Sequence, residues 1–263
     1  MRGSYHREVP LTGEQWRRLA RSSPWRWSTL RFVNRWNGPS PAGVPAVRAW
    51  LRRPDLLRVE RLDGTLDLVV REERPRSAGM LLTVDGGRPL PPRPMPGAVR
   101  PVYDVDGLVE QRPEDVDCDD PMYQSYDWVA MLDPVELSAG VAIEAVREVS
   151  HRGRPAWEAV AHPGSGYDPR CSCCPLLPSA ESDRLEAEGG GLTMRDHDPG
   201  LVYAEAHRVR LDVETGVCVL TEEIGGTRAG YGHDVEIEAV DEPMADHLFI
   251  SPRRGPLRRL RRP

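Results

Sequence analysis

The chain of 263 residues contains no lysine, and all 35 of its basic residues are arginine. A lysine nucleophile or Schiff base is thereby excluded. The simplest source of the bias is a GC-rich coding composition; selection for bidentate arginine contacts is the alternative. No run approaches 18 apolar residues, so no helix is expected to span a bilayer. Residues 1–10 hold no apolar stretch of the secretory kind, which makes the cytoplasm the expected compartment. No Gly-x-Ser-x-Gly element is present, and Gly164-Ser165-Gly166 reads as a turn. No glycine-rich phosphate or dinucleotide loop is present either. Without such motifs an enzyme remains one possibility, its residues scattered over strands, and the balance leans against catalysis. The net charge of −6 argues against nucleic acid as a partner. Hydrophobic residues make up 39% and charged residues 29% of the chain, which allows a core but implies long polar loops.

What the chain does have is a concentration of thiols. Three of its five cysteines, Cys171, Cys173 and Cys174, fall within four residues, in a loop over 162–178 bounded by Pro163, Gly164, Gly166, Pro169 and Pro175. In a reducing compartment these are expected as thiols or metal ligands. A Cys173–Cys174 disulfide would be strained. Zinc takes about four ligands, with sulfur at roughly 2.3 Å. The three thiols supply three, and His162 is the favoured fourth, with His151, Cys118 and Cys218 as the others. The spacing is not the usual C-x2-C, and no second pair follows, so a zinc site, redox chemistry under the influence of Arg170, and an inert cluster all stay open.

Around this loop the pattern is that of antiparallel strands. Residues 11–22 read as a helix with a Thr12/Gln15 capping box and a Leu11/Trp16 staple. Strand-like alternation follows over 27–36, 45–53, 57–61 and 66–70, with Asp63-Gly64 as a hairpin turn. Residues 85–121 form a proline-rich loop, preceded by a strand at 79–84; its five acidic residues around Cys118 read as a solvated segment, since no glycine stands within 113–121 to turn a calcium loop. Asp133 and Glu136 read as the cap and N3 residues of a short helix closed by Gly140 rather than as an acid–base pair. Strands follow at 141–149, 157–161, 201–211, 217–224 and 233–240, with a helix at 179–188. In the last strand Val235, Ile237 and Ala239 alternate with Asp234, Glu236 and Glu238, as in a sheet with one wet face. His207 and His233 read as structural strand residues. Residues 253–263 carry six arginines and read as a frayed tail.

Two blocks carry a resemblance: Arg48-Ala-Trp-Leu-Arg-Arg-Pro-Asp-Leu-Leu-Arg-Val-Glu60, and Leu211-Asp-Val-Glu-Thr-Gly-Val-Cys-Val-Leu220 with Val235–Val240 and Asp246-His-Leu-Phe249. Over roughly residues 25–85 and 200–250 the chain resembles the LolA/RseB-like superfamily of lipoprotein carriers and sigma-factor regulatory proteins, and it is similar in layout to actinobacterial proteins. The resemblance implies an α+β fold, a strongly curved antiparallel sheet forming an open half-barrel, with a few short helices on its concave side. It also implies non-catalytic binding of a hydrophobic or lipid-like molecule, or of a protein partner, in that concavity. Trp36, Trp50, Trp128 and Trp157 are the expected ligand contacts, against the alternative that they serve as core. The family's carriers work outside the cytoplasm with signal sequences, which this chain is not expected to have, and the central proline-rich and cysteine segments match nothing in it. The expected organisation is an N-terminal helix in 1–24, one curved-sheet domain over 25–252 and the tail.

Overall fold

The structure, a computed structural model, describes residues 11–38, 45–72, 80–83, 86–89 and 93–251, with 80–83 and 86–89 as backbone only. Helix α1 (Gly13–Ser22) opens with the expected capping box, Thr12 and Gln15 each accepting from the other's backbone. Its Trp16, Leu19 and Ala20 stand at one helical stripe and are fully buried. Four strands follow as a meander: β1 (Thr29–Asn37), β2 (Val47–Arg52), β3 (Leu56–Arg61) and β4 (Leu66–Arg71). Two short ribbons follow, β5 (Met80–Thr83) with β6 (Gly86–Pro89), and β7 (Val102–Tyr103) with β8 (Val109–Gln111), all but β5 within the proline-rich segment. Helix α2 (Tyr126–Leu132) leads into β9 (Val141–His151) and β10 (Arg154–Pro163). Helices α3 (Ala180–Glu188) and α4 (Met194–His197) precede the last three strands, β11 (Ala206–Asp212), β12 (Cys218–Ile224) and β13 (Gly232–Val240).

The main sheet has nine antiparallel strands in the order β4-β3-β2-β1-β13-β12-β11-β10-β9, and its edges do not meet. The two meanders are joined through β1 and β13, paired from Leu30↔Val240 to Trp36↔His233 with a bulge between Arg31 and Phe32. One face curves around α1 and α2. Their Trp16, Leu19, Trp128 and Met131 form a single core with Phe32, Leu51 and Val59 from one half of the sheet and Ala159, Val209 and Val235 from the other. The expected open half-barrel with helices on its concave side is therefore the observed fold. The convex face is polar and laced with ion pairs, such as Arg48–Glu238 at 2.9 Å and Arg35–Glu236 at 2.9 Å. Exposed pairs of this kind contribute roughly 0–1 kcal/mol each, so the core carries the fold.

Several sequence expectations need correction. Helix α2 was not anticipated, because Trp128 to Leu132 are all buried and show no amphipathic period. Asp133 does not N-cap the short helix that follows, a 3-10 turn over Val135–Ser138 led by Pro134; it stands instead at the C-terminal end of α2. Its buried carboxylate receives the guanidinium groups of both Arg112 and Arg170. The strand expected at 201–211 begins only at Ala206, since Val202 is tied instead to the side chain and backbone of Thr227. The arginine-rich tail and residues 84–85 and 90–92 of the proline-rich segment lie outside the described residues. No helix among the described residues is long and apolar enough to cross a membrane.

Candidate functional site

The cysteine loop is shaped by a carboxylate far away in sequence. Glu136 is buried, and it accepts from the Tyr167 hydroxyl, from the Arg170 backbone N–H at 3.1 Å and from the Leu176 N–H at 3.0 Å. Tyr167 in turn accepts from Leu177 N–H at 3.1 Å. Burial pushes the Glu136 carboxyl above its usual range against these hydrogen bonds. Burial would also raise Asp133, but the charges of Arg112 and Arg170 outweigh it and hold this carboxyl low. Both flanks of the thiols are thus fixed to the segment that follows α2. Gly140 makes the crossing possible. It sits at φ +67°, and a Cβ there would lie 1.8 Å from the Gly166 carbonyl oxygen.

Within the loop, the sulfurs of Cys171, Cys173 and Cys174 all lie within 4.8 Å of one another. Cys171 Sγ is 2.8 Å from Cys173 Sγ, which is 3.7 Å from Cys174 Sγ. Partial burial pushes the Cys171 thiol up, but hydrogen bonds from Cys173 and Cys174 outweigh it and leave this thiol below its usual range. The Cys173 thiol is raised by its hydrogen bond to Cys171, and that of Cys174 is raised further by burial. His162 does not join them. Its Nδ1 faces the Glu205 carbonyl at 3.2 Å and its Nε2 lies 3.7 Å from Glu144. His151 bonds the Val235 carbonyl, Cys218 is fully buried in the core, and Cys118 lies beside Asp133 and Arg170 with its thiol pushed by burial to about 12. The ligand set the sequence suggested is reduced to the three cysteines, because strand register turns His162 toward β11.

Cys173 and Cys174 stand at the rim of a cleft of about 470 Å³ at one end of the concave face. Its floor comes from four adjacent strands: Trp36 on β1, His233 on β13, Thr221 and Glu223 on β12, and His207 on β11. The Trp36 and His233 rings meet edge to face at 6.1 Å. Opposite lie Asp127 of α2, Leu176, Met194, Arg228 and Tyr231. His233 is satisfied: its Nε2–H donates to the Cys218 carbonyl at 2.9 Å, and its Nδ1 accepts from Thr221 at 3.0 Å. The structural reading suits this histidine.

His207 and Glu223 are different. They are cross-strand partners, both buried. Neither ring nitrogen of His207 has a hydrogen bond of normal geometry, and burial lowers its pKa to about 4, partly offset by the Pro178 carbonyl. The Glu223 carboxyl has no hydrogen-bonding or ion-pair partner among the described residues; burial raises its pKa from 4.5 to about 7, with the Arg228 charge opposing. Buried polar groups are nearly always paired, so a buried histidine without a normal hydrogen bond, next to a carboxyl with no partner among the described residues, marks this cleft as a candidate site. The sequence reading took His207 for a structural strand residue and did not single out Glu223, since a strand histidine and a strand glutamate carry no motif.

The four tryptophans separate. Trp36 lines the cleft. Trp128 is core, its ring 5.2 Å from those of Phe32 and of Tyr123. Trp157 is partly buried against the core, and its carbonyl accepts from Trp16 Nε1 at 3.2 Å. Trp50 falls on the convex face, opposite in parity to Val47, Ala49 and Leu51 and in register with Arg31 and Arg58. Alternation along β2 excludes it from any concave site.

No family model and no curated protein matches the sequence. Solved structures are similar at low identity, two of them as follows. One is the MucA/MucB complex of Pseudomonas aeruginosa, at 15% identity and a TM-score of 0.40, covering 91% of this chain and 60% of that one. The other is MucB, at 12% identity and a TM-score of 0.34, covering 90% and 62%. This chain therefore spans about three fifths of their length.

Proposed function

We propose that the protein is a non-catalytic binding protein whose ligand site is the cleft at the end of the concave face. Its ligand is a small amphipathic molecule with an apolar body and a cationic or hydrogen-bond-donating head. The observation that carries this is the cross-strand pair Glu223 and His207, neither with a hydrogen bond of normal geometry among the described residues, facing a cleft walled by Trp36. A volume of about 470 Å³ suits a small molecule. The lining holds two carboxylates, Asp127 and Glu223, against one arginine, Arg228, which favours a cation over an anion. Helices α1 and α2 fill the middle of the concavity, so a lipid-like chain extended across the whole face has less support than a compact ligand at its end.

The test is a fluorescence titration with a dansylated alkylamine. One saturable equivalent is expected for the intact chain. Trp36→Ala and Glu223→Gln should each weaken binding at least tenfold, while Trp50→Ala on the convex face leaves it unchanged. Absence of saturable binding, or equal losses in all three variants, would contradict the proposal. The same groups favour a second reading, acid–base catalysis, because a carboxyl titrating near neutrality beside a neutral histidine is suited to proton transfer. Turnover of a bound ligand that is lost in both Glu223→Gln and His207→Asn would move that reading to first place.

A further inference from the structure

We propose that Cys171, Cys173 and Cys174 form a three-thiolate site for a thiophilic metal cation, with a remaining coordination position open to an exogenous ligand at the rim of the cleft. The proposal stands on the geometry of the sulfurs and does not depend on the identity of the cleft ligand.

Three observations carry it. First, the sulfurs converge on one another. The Cys173–Cys174 separation of 3.7 Å is close to the edge of a coordination polyhedron with metal–sulfur bonds of about 2.3 Å. The Cys171–Cys173 pair at 2.8 Å must open by about 1 Å to reach the same edge, which an exposed Cys173 in a turn permits. Second, the loop is built for fixed positions. Glu136 holds Arg170 and Leu176 on either side of the thiols, and the turn is closed by the Cys174 N–H to the Cys171 carbonyl at 3.3 Å. Third, no fourth donor stands with the three sulfurs among the described residues, and the nearby Glu186 carboxylate is taken by the Ser172 hydroxyl at 2.6 Å. Among the described residues no histidine, aspartate or glutamate joins the three sulfurs within 4.8 Å, and each candidate fourth ligand is engaged elsewhere or buried apart. Among the described residues the set is therefore three sulfurs, short of the four ligands of a closed structural site. Three protein ligands with a vacant position is the arrangement that exchanges ligands. Because Cys173 and Cys174 themselves line the cleft, an ion held by them borders the space in which Trp36 and Glu223 lie.

The experiment uses the full chain, reduced and anaerobic, titrated with Zn²⁺ against a chromogenic chelator and separately with Co²⁺ by absorption spectroscopy. One equivalent is expected, with sulfur-to-cobalt charge-transfer bands. Added imidazole should shift the visible cobalt bands by entering the open position. Cys173→Ser, an exposed position that leaves the fold intact by circular dichroism, should weaken binding at least 100-fold, and Cys118→Ser should not. No charge-transfer band, or an affinity indifferent to Cys173→Ser, overturns the site. A cobalt spectrum insensitive to imidazole overturns the open position. Return of a Cys171–Cys173 disulfide after reduction, with no metal taken up, replaces the site with a redox pair and also refutes it. Loss of dansylamine binding in a protein that still takes up cobalt would count against the ligand cleft alone.

Discussion

Replacing Glu136 by alanine tests whether the cysteine loop is held in place from outside itself. The substitution removes the acceptor of three donors: the Tyr167 hydroxyl and the backbone N–H groups of Arg170 and Leu176. Each buried donor left unpaired costs about 1–3 kcal/mol. Two effects reduce the sum. The carboxyl's own burial is unfavourable, as its raised pKa indicates, and removing it relieves that cost. Water can also enter the vacated volume and bond the freed N–H groups. A net loss of about 3 kcal/mol remains, with Glu136→Gln, which keeps one acceptor oxygen, costing about half as much. Urea unfolding followed by tryptophan fluorescence reads the stability. The rates at which Cys171, Cys173 and Cys174 react with a disulfide reagent read the loop, and they should rise in Glu136→Ala well below the urea midpoint. A loss under about 0.5 kcal/mol with unchanged thiol rates would show that the loop holds its own shape, and the reasoning from these three hydrogen bonds would be wrong.

Other perturbations follow from the same geometry. Glu223 has a folded-state pKa of about 7 against an ordinary 4.5, so the fold binds this proton more tightly than the unfolded chain does. Its contribution to stability is intact below pH 4.5, is lost as pH rises to about 7 and is flat above; the full shift corresponds to about 3 kcal/mol as an upper bound. The neighbouring His207 and His233, each lowered to about 4 by burial, act oppositely, and their contribution is lost as pH falls from 6.5 toward 4. The difference between the chain and its Glu223→Gln variant, measured by thermal unfolding at pH 5 and pH 8, isolates the carboxyl: the variant should gain at pH 8 and not at pH 5. Gly140→Ala should destabilise by on the order of 3 kcal/mol in the same urea assay, because its φ is positive and the new methyl meets the Gly166 backbone. In thiol mapping by mass spectrometry, Cys171 should be modified first among the metal-free cysteines, and Cys218 only on unfolding, since the first has a lowered pKa and the second is fully buried.

Period-two alternation made β2, β3 and β13 legible, because one face of each is core and the other is wet. The capping box marked α1, and Asp63-Gly64 marked the β3–β4 turn, since both signals are local. What escaped was long-range. Glu136 bonds partners 31 to 40 residues away, and nothing in its own neighbourhood distinguishes it from a helix-start glutamate. The cleft is assembled from Trp36, Asp127, Cys173, His207 and Glu223, brought together by the β1–β13 and β11–β12 pairings rather than by any spacing in the chain. The thiol cluster was visible because its members are adjacent. The fate of His162 was not, because the pairing of β10 with β11 decides which parity of β10 meets the core: Ala159 and Ala161 face it, and His162 falls on the other face beside Glu144.

The cleft reading turns on Glu223, which has no partner among the described residues and is proposed to bond the polar head of a ligand. The most direct measurement is an NMR titration of the Glu223 side-chain carboxyl carbon against pH, in the free chain and in the chain saturated with a dansylated alkylamine. The account predicts a pKa near 7 when free, and a fall of at least one unit when the ammonium group supplies the missing partner. An ordinary value near 4.5 in the free chain, or a raised value that the amine does not move, would contradict it.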